Sequence, residues 1–449
     1  MQSVSKLENR LKNKMALTET GIPPNPGHLP IVPVSYRQLL HQNSRFRRLW
    51  AAQLISAAGD WFNSVAVLGL VLQLTNSGLS VGFVVLASTL PTFFLIPIAG
   101  PVADRFDRRK LMILANILAA GVALLFLLVH TSDMLWLLYL ASVLLVTTAS
   151  FFGPAVNASV PNIVSKEELF SANALSGATW GIMVMVGSAL GGIVSAAFGR
   201  EVAFIINALS FVIASGLLWT IKIPSPHLLN PQPLAPWRDF AEGLDYLRHF
   251  LPAFAMVCVK SGWGLAGGVI VLLSVFGTQI FKAGDAGIGA LYSARGFGAL
   301  IGPLVIQALV KQDTEKLRNA MWIGFMMSGV GYCFFALAGW LGTIGLAVVA
   351  LVFAHFGGGI TWTISSVLLQ QTTPDRFRGR VFAVDNGLAT LTTGISTLIF
   401  GLILQGDTSP MLMAIVGGII FCFYGAVWGI VTAHGHLQIS KASLAVAPD

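Results

Sequence analysis

Charge is what this chain has least of. Asp, Glu, Lys and Arg make up 10% of its 449 residues, against roughly 25% in an ordinary soluble domain. That shortage excludes an ordinary aqueous globule, because 55% of the residues are hydrophobic and mean hydropathy is +0.77. Cysteine is nearly absent as well. Cys258, Cys333 and Cys422 all fall inside apolar runs, with no CxxC and no His/Cys ligand spacing. Buried free thiols are expected, not a disulfide framework or a metal site. The first 47 residues are polar and proline-bearing and hold no apolar h-region, so no secretory signal peptide is expected. Met15 is an alternative start. No Walker loop, paired catalytic carboxylates or nucleophile–base set occurs, so neither an enzyme nor ATP coupling nor a cofactor is expected.

What is present is long apolar runs. A helix of ~20 apolar residues spans the ~30 Å of hydrocarbon. Twelve candidate spans read at about 48–73, 81–103, 111–130, 135–153, 174–197, 202–221, 252–281, 287–310, 319–338, 341–364, 382–404 and 411–432. The fold class expected is an all-α membrane protein with twelve transmembrane helices. With the N-terminus in the cytoplasm, inside segments, together with Arg48 at the very start of span one, collect 23 of the 27 Lys and Arg residues. The positive-inside rule therefore predicts both termini in the cytoplasm. The net charge of +8 is then charge facing anionic lipid. Nucleic-acid binding, the competing reading of a pI near 9.6, is not expected.

The chain divides in the middle. Residues 1–47 form a partly disordered N-terminal segment and 48–221 a first six-helix bundle. A cytoplasmic linker follows over 222–251, then a second bundle over 252–433 and a tail over 434–449. Five prolines between 224 and 236 keep part of the linker extended. Trp237, Phe240, Leu244 and Leu247 then set one apolar stripe on a helix expected at the membrane surface. The halves are faintly alike. Gly100-Pro101 and Trp61 recur as Gly302-Pro303 and Trp263, 202 residues on. Repeated halves are characteristic of secondary transporters.

Against this apolar background, AGPVADRFDRRKL (99–111) puts six charges in seven residues, between spans two and three. Gly100, Val102, Ala103, Asp104, Arg105, Asp107, Arg108 and Arg109 resemble the signature loop of the major facilitator superfamily. Val102 stands where that pattern has Leu, and Asp107 where it has Gly. The form ADRFDRRKL, with Arg378-Gly379-Arg380-Val381-Phe382 before span eleven, resembles the branch holding macrolide-efflux proteins and the enterobactin exporter. The resemblance covers residues 45–433. It implies two six-helix bundles in the major facilitator fold and one chain as the working unit. It also implies a cytoplasmic gate in which Asp104 meets the start of a second-half helix. Gly100, Arg105, Arg108 and Arg109 would serve that gate, with Arg378, Arg380 and Asp385 as the partner set. A plain topology anchor is the alternative role for these charges.

Charges inside spans cost roughly 2.5–3.5 kcal/mol each on insertion scales and usually face water, a partner or a task. Asp60, Lys260 and Arg295 stand out. Gln53, Ser56, Asp60 and Asn63 form a polar stripe on span one. Burial disfavours the charged form of a carboxylate, so Asp60 is expected to exchange a proton. The alternative is a fixed pair of Asp60 with Lys260 or Arg295. Lys260 and Arg295 would bind an anionic group, or balance charge. Asn386 and Thr390, continued by Thr393 and Thr397, repeat the stripe on span eleven. Spans three and twelve are almost free of polar side chains and are expected to face lipid. His355, ahead of three glycines, reads as structural or as a proton relay. Gly187-Ser188-Ala-Leu-Gly191-Gly192 in span five resembles the family's antiporter motif, with Ser188 in place of Pro.

The expected function is export of a small amphipathic molecule, of macrolide or multidrug type, by proton antiport with alternating access. The energy source is the proton gradient, and the location is the plasma or inner membrane. An anionic cargo such as a siderophore is the alternative. A non-transporting scaffold or a flippase-like helper is the alternative of another class.

Overall fold

The structure is a computed structural model and describes residues 34–224, 236–310 and 314–433. The expectations of disorder before residue 34, of extended chain over 225–235 and of a tail beyond 433 lie outside the described residues. Among those described, twelve helices are long and apolar enough to cross a membrane. In order they are Ser44–Thr75, Gly78–Arg105, Arg108–Leu128, Ser132–Asn162, Lys166–Phe198 and Arg200–Trp219. The second six are Leu251–Ile280, Gly284–Val310, Glu315–Trp340, Ile344–Thr372, Phe377–Ile403 and Pro410–Ala433. Each coincides with one expected span and is numbered accordingly.

The largest differences in length fall at the end that carries the span two–three loop, hereafter the basic end. Span four runs on to Asn162, span five begins at Lys166 and span ten continues to Thr372. Apolar sequence measures only the hydrocarbon, whereas a helix continues until its backbone is capped. Span five starts eight residues early because Ser165 accepts from the Glu168 amide while Glu168 accepts from the Ser165 amide. A short helix, Tyr36–Gln42, precedes span one and docks here. Asn43 Nδ2 donates to the Ile163 carbonyl and to Glu168, each at 2.9 Å.

The two bundles share one packing plan. Span one packs on five and six, two on four, and three on four and six. Six positions later the set repeats: seven on eleven and twelve, eight on ten, nine on ten and twelve. The bundles meet along two seams, span five against eight and span two against eleven. These seams exchange under the same shift of six, so the faint sequence repeat is a structural one. Glycines bring the backbones together there. A Cβ on Gly192 would lie 2.9 Å from Gly289 Cα, and one on Gly82 3.3 Å from Leu398 Cα.

Outward faces are apolar. Leu114, Ile117, Leu118 and Leu128 on span three, and Ile419, Phe423 and Ile430 on span twelve, are exposed. The linker helix Pro236–His249 departs from expectation. The later part of its apolar stripe is covered by protein, while Trp237 at its start is exposed. Tyr246 stacks on Phe377 at 4.7 Å, Phe240 meets Phe93 edge-on at 6.3 Å, and Leu247 is buried. Span eleven supplies most of that surface.

Candidate functional site: a charged cavity between the halves

A cavity of about 540 Å³ lies between the bundles. Spans one, two, four and five wall one side; seven, eight, ten and eleven wall the other. Spans three, six, nine and twelve contribute nothing, as befits helices placed outermost. A second chamber of about 640 Å³ adjoins it, between span five and spans eight and ten. The two share Trp180, Trp263, Arg295 and Trp362.

Asp60 and Asn63 lie on the central wall, with Ser64 and Val67 continuing the same face of span one. The Asp60 carbonyl accepts from Ser64 Oγ at 2.8 Å. Among the described residues, its carboxylate makes neither a hydrogen bond nor an ion pair. Asn63 is buried and its Oδ1 has no partner. Gln53 and Ser56, the lower half of the stripe, do not reach the cavity. Ser56 Oγ instead donates to the Gln53 carbonyl at 3.3 Å. The stripe advances around the helix, so its two ends do not share one water-facing surface.

Arg295 is on the wall of both chambers. Its guanidinium sits 5.8 Å from the ring centroids of Trp180 and of Tyr292, and its Nε is buried with no hydrogen-bond partner. Lys260 lies elsewhere. Its Nζ is 2.5 Å from Asp385 Oδ2, with the side chains 2% and 0% exposed. The Trp362 and Phe382 rings flank the ammonium at 5.0 and 5.6 Å. This corrects two expectations together: Lys260 is withdrawn from the cavity, and Asp385 is its counter-ion inside the second bundle. Asp60 is thus fixed by neither cation. On span eleven, Thr390 and Thr393 are on the wall, while Asn386 is exposed and off it.

The loop charges do not form the expected cross-half cluster. Arg108 is buried and donates to the Ala103 and Ala158 carbonyls at 3.2 and 2.7 Å and to Asp104 at 2.9 Å. It ties the ends of spans two and four. Arg109 donates to the Trp219 carbonyl at 2.6 Å, closing span six onto the same group. Arg105 is exposed, and a Cβ on Gly100 would meet nothing within 4 Å. Arg380 pairs with Asp239 and Glu242 of the linker helix at 3.3 and 2.7 Å. Arg378 lies in the first turns of span eleven. Asp104 thus stays with its own half because Arg108, across the short turn between spans two and three, lies 2.9 Å away.

Ionic contact across the halves lies at the opposite end. Arg200, opening span six, holds Asp285, opening span eight, through Nε–Oδ2 at 2.7 Å and Nη2–Oδ1 at 2.9 Å. The Arg200 guanidinium also donates to Gln73 of span one. Gln279 Nε2 donates to Asn76 Oδ1 at 3.0 Å beside it. Sequence reasoning missed this latch and missed the aromatic wall. Apolar and aromatic residues carry no periodic polar signal; only the Trp61–Trp263 repeat hinted at the wall, and both line it.

The remaining motifs are structural in form. Gly187 and Gly191 face span one, where a Cβ would come within 2.8 Å of Trp61 Cβ and of Phe62 Cα. His355 Nε2 is 3.0 Å from the Tyr332 hydroxyl in a buried pair.

The fold and its central cavity are those of a membrane transporter. Residues 49–397 match the model of the Major Facilitator Superfamily, and the chain belongs to that family. It is a multi-pass membrane transporter, not an enzyme. It is 28% identical over 367 residues to the enterobactin exporter of Escherichia coli O1:K1, covering 78% of this chain and 82% of that one. It is 22% identical over 387 residues to macrolide efflux protein A of Streptococcus pyogenes, covering 84% and 94%. Among solved structures, a bacterial homologue of the iron transporter ferroportin in an inward-facing state aligns with a TM-score of 0.66 at 17% identity. It covers 86% of this chain and 98% of that one. At that identity the likeness speaks for the fold alone.

Proposed function

We propose that this protein is a proton-coupled exporter of a small amphipathic molecule, working as a single chain in the plasma or inner membrane. The observation that carries the reading is Asp60: a carboxylate on the wall of a cavity between two matched bundles, with no counter-ion among the described residues. Such a group is expensive in a span unless it meets water, substrate or a proton. With no fixed partner to break, Asp60 can load and release a proton as the cavity faces one side and then the other.

With the basic end in the cytoplasm, the Arg200–Asp285 latch shuts the outer side. The cavity then belongs to the inward-facing stage of the cycle, and the bundles rock along the two glycine-lined seams. Cargo loads from the cytoplasm, the latch opens, and proton entry through Asp60 resets the transporter. The proton gradient supplies the energy and no cofactor takes part. The efflux relatives support the direction of transport.

The cavity's aromatic lining suits an amphipathic drug of macrolide type. One observation favours the second cargo, an anionic metabolite such as a siderophore: among the described residues, Arg295 has no carboxylate paired with it. The test of coupling is Asp60→Asn in proteoliposomes. The variant is expected to reach the membrane and to lose pH-driven efflux. Efflux that still follows the pH gradient at the wild-type rate would overturn the assignment.

A further inference from the structure

We propose that Arg295 and the side chamber beside it form a binding site for aromatic amphipaths bearing a carboxylate. The charged head sits at Arg295 and the ring system lies among Trp180, Trp263 and Trp362. This names a substrate class for the transport reading above and rests on that reading only for movement, not for binding.

The other cations embedded in the fold set the contrast. Lys260 has Asp385, Arg200 has Asp285, and Arg108 has Asp104. Arg295 alone among these four makes no ion pair among the described residues. The Trp180 and Tyr292 rings attract its cation, but ring faces do not satisfy guanidinium N–H donors, which lie in the plane of the group. Its buried Nε is left without an acceptor. A carboxylate in the chamber meets the part of the guanidinium that lines it with charge-assisted hydrogen bonds. An ammonium head would be repelled there, and a neutral head would leave part of the cost uncompensated.

The space beside Arg295 fits a flat apolar body. The side chamber of about 640 Å³ adjoins the central cavity, and the three tryptophans and Arg295 line both. Ligand pockets of ~300–1,000 Å³ enclose small organic molecules. Trp263 and Trp362 stand edge to face, with centroids 5.8 Å apart, and so offer a corner to an aromatic ring. The Trp263 Nε1 donor is itself unpartnered. His355, the chamber's other basic side chain, is held by Tyr332, so the anion-binding role falls to Arg295.

The test uses the purified full chain in lipid nanodiscs, with empty nanodiscs as the blank. Calorimetry compares 2-naphthoate, its neutral isostere 2-naphthamide, and 2-naphthylmethylammonium. Wild type is expected to bind naphthoate roughly 10-fold or more tightly than the amide, as charge-assisted hydrogen bonds imply, and the ammonium most weakly. Arg295→Gln should bring naphthoate and naphthamide level, and Arg295→Lys should keep part of the difference. Gly177 lines only the side chamber, and a Cβ there meets nothing within 4 Å. Gly177→Leu should therefore fold and weaken every naphthyl ligand without changing the acid-to-amide ratio. Equal binding of acid and amide by wild type, a ratio that survives Arg295→Gln, or no binding above the blank would each overturn the proposal. Asp60→Asn efflux is read separately. Loss of the naphthoate preference with coupling intact sinks the site alone, and persistent coupling in Asp60→Asn sinks the exporter mechanism alone.

Discussion

Lys260 Nζ lies 2.5 Å from Asp385 Oδ2, and neither side chain reaches solvent. The pair joins span seven to span eleven within the second bundle, close to where span seven breaks at Gly267-Gly268. The break is itself tied to span eleven, since the Gly268 amide donates to Ser396 Oγ at 2.9 Å. The pair therefore belongs to the architecture of the cavity wall, one layer behind the surface that a substrate meets.

Removing one member leaves the other buried and unpaired. Lys260→Met or Asp385→Leu alone should cost about 3–5 kcal/mol, whereas the double variant should recover most of that loss. Thermal melting of the purified protein measures it. A double variant no more stable than the worse single one would show that the pair does not act as a unit.

The Arg200–Asp285 bridge is bidentate, and Asp285 is buried. Arg200→Ala should loosen the end of the bundle opposite the basic loop. Ser195 is buried beside this end and lines the same pocket as Arg200 and Asp285, so Ser195→Cys is a reporter. In a background lacking the three native cysteines, it should react with a membrane-impermeant maleimide several-fold faster when Arg200 is Ala. Unchanged labelling would mean that the bridge does not hold this end shut.

Asp104 and Arg108 separate bracing from gating at the basic end. Arg108 is buried and serves two backbone carbonyls, whereas the Asp104 side chain is 67% exposed. Arg108→Ala should lower stability by about 2–4 kcal/mol, because charged hydrogen bonds are lost at two helix ends. Asp104→Asn should change melting by less than about 1 kcal/mol, as expected for an exposed pair. If Asp104→Asn nonetheless slows transport, the residue acts in another stage of the cycle.

Much of the architecture was legible in the residues. The twelve spans and the place of the linker helix followed from apolar run length and a stripe at helical spacing. Those depend on neighbours in the chain. Within the site, Asp60 and Arg295 stood out because a charge in a span is costly wherever the span packs. Asp385 carried the same signal inside span eleven, yet its nearness to the loop arginines suggested a gate. Its true partner is 125 residues away. Arg200 and Asp285 lie at helix starts, where charge is common, and nothing local marks them as a pair.

Span number and the identity of the costly charges were thus set by the chain itself, because hydrocarbon thickness and backbone satisfaction act on each segment separately. Which of those charges meet, and which are left facing open space, was decided only when the helices packed. A helix can turn about its own axis without changing its fitness to cross a bilayer, and only contact with its neighbours selects the turn that hides Lys260 and leaves Asp60 on the cavity wall.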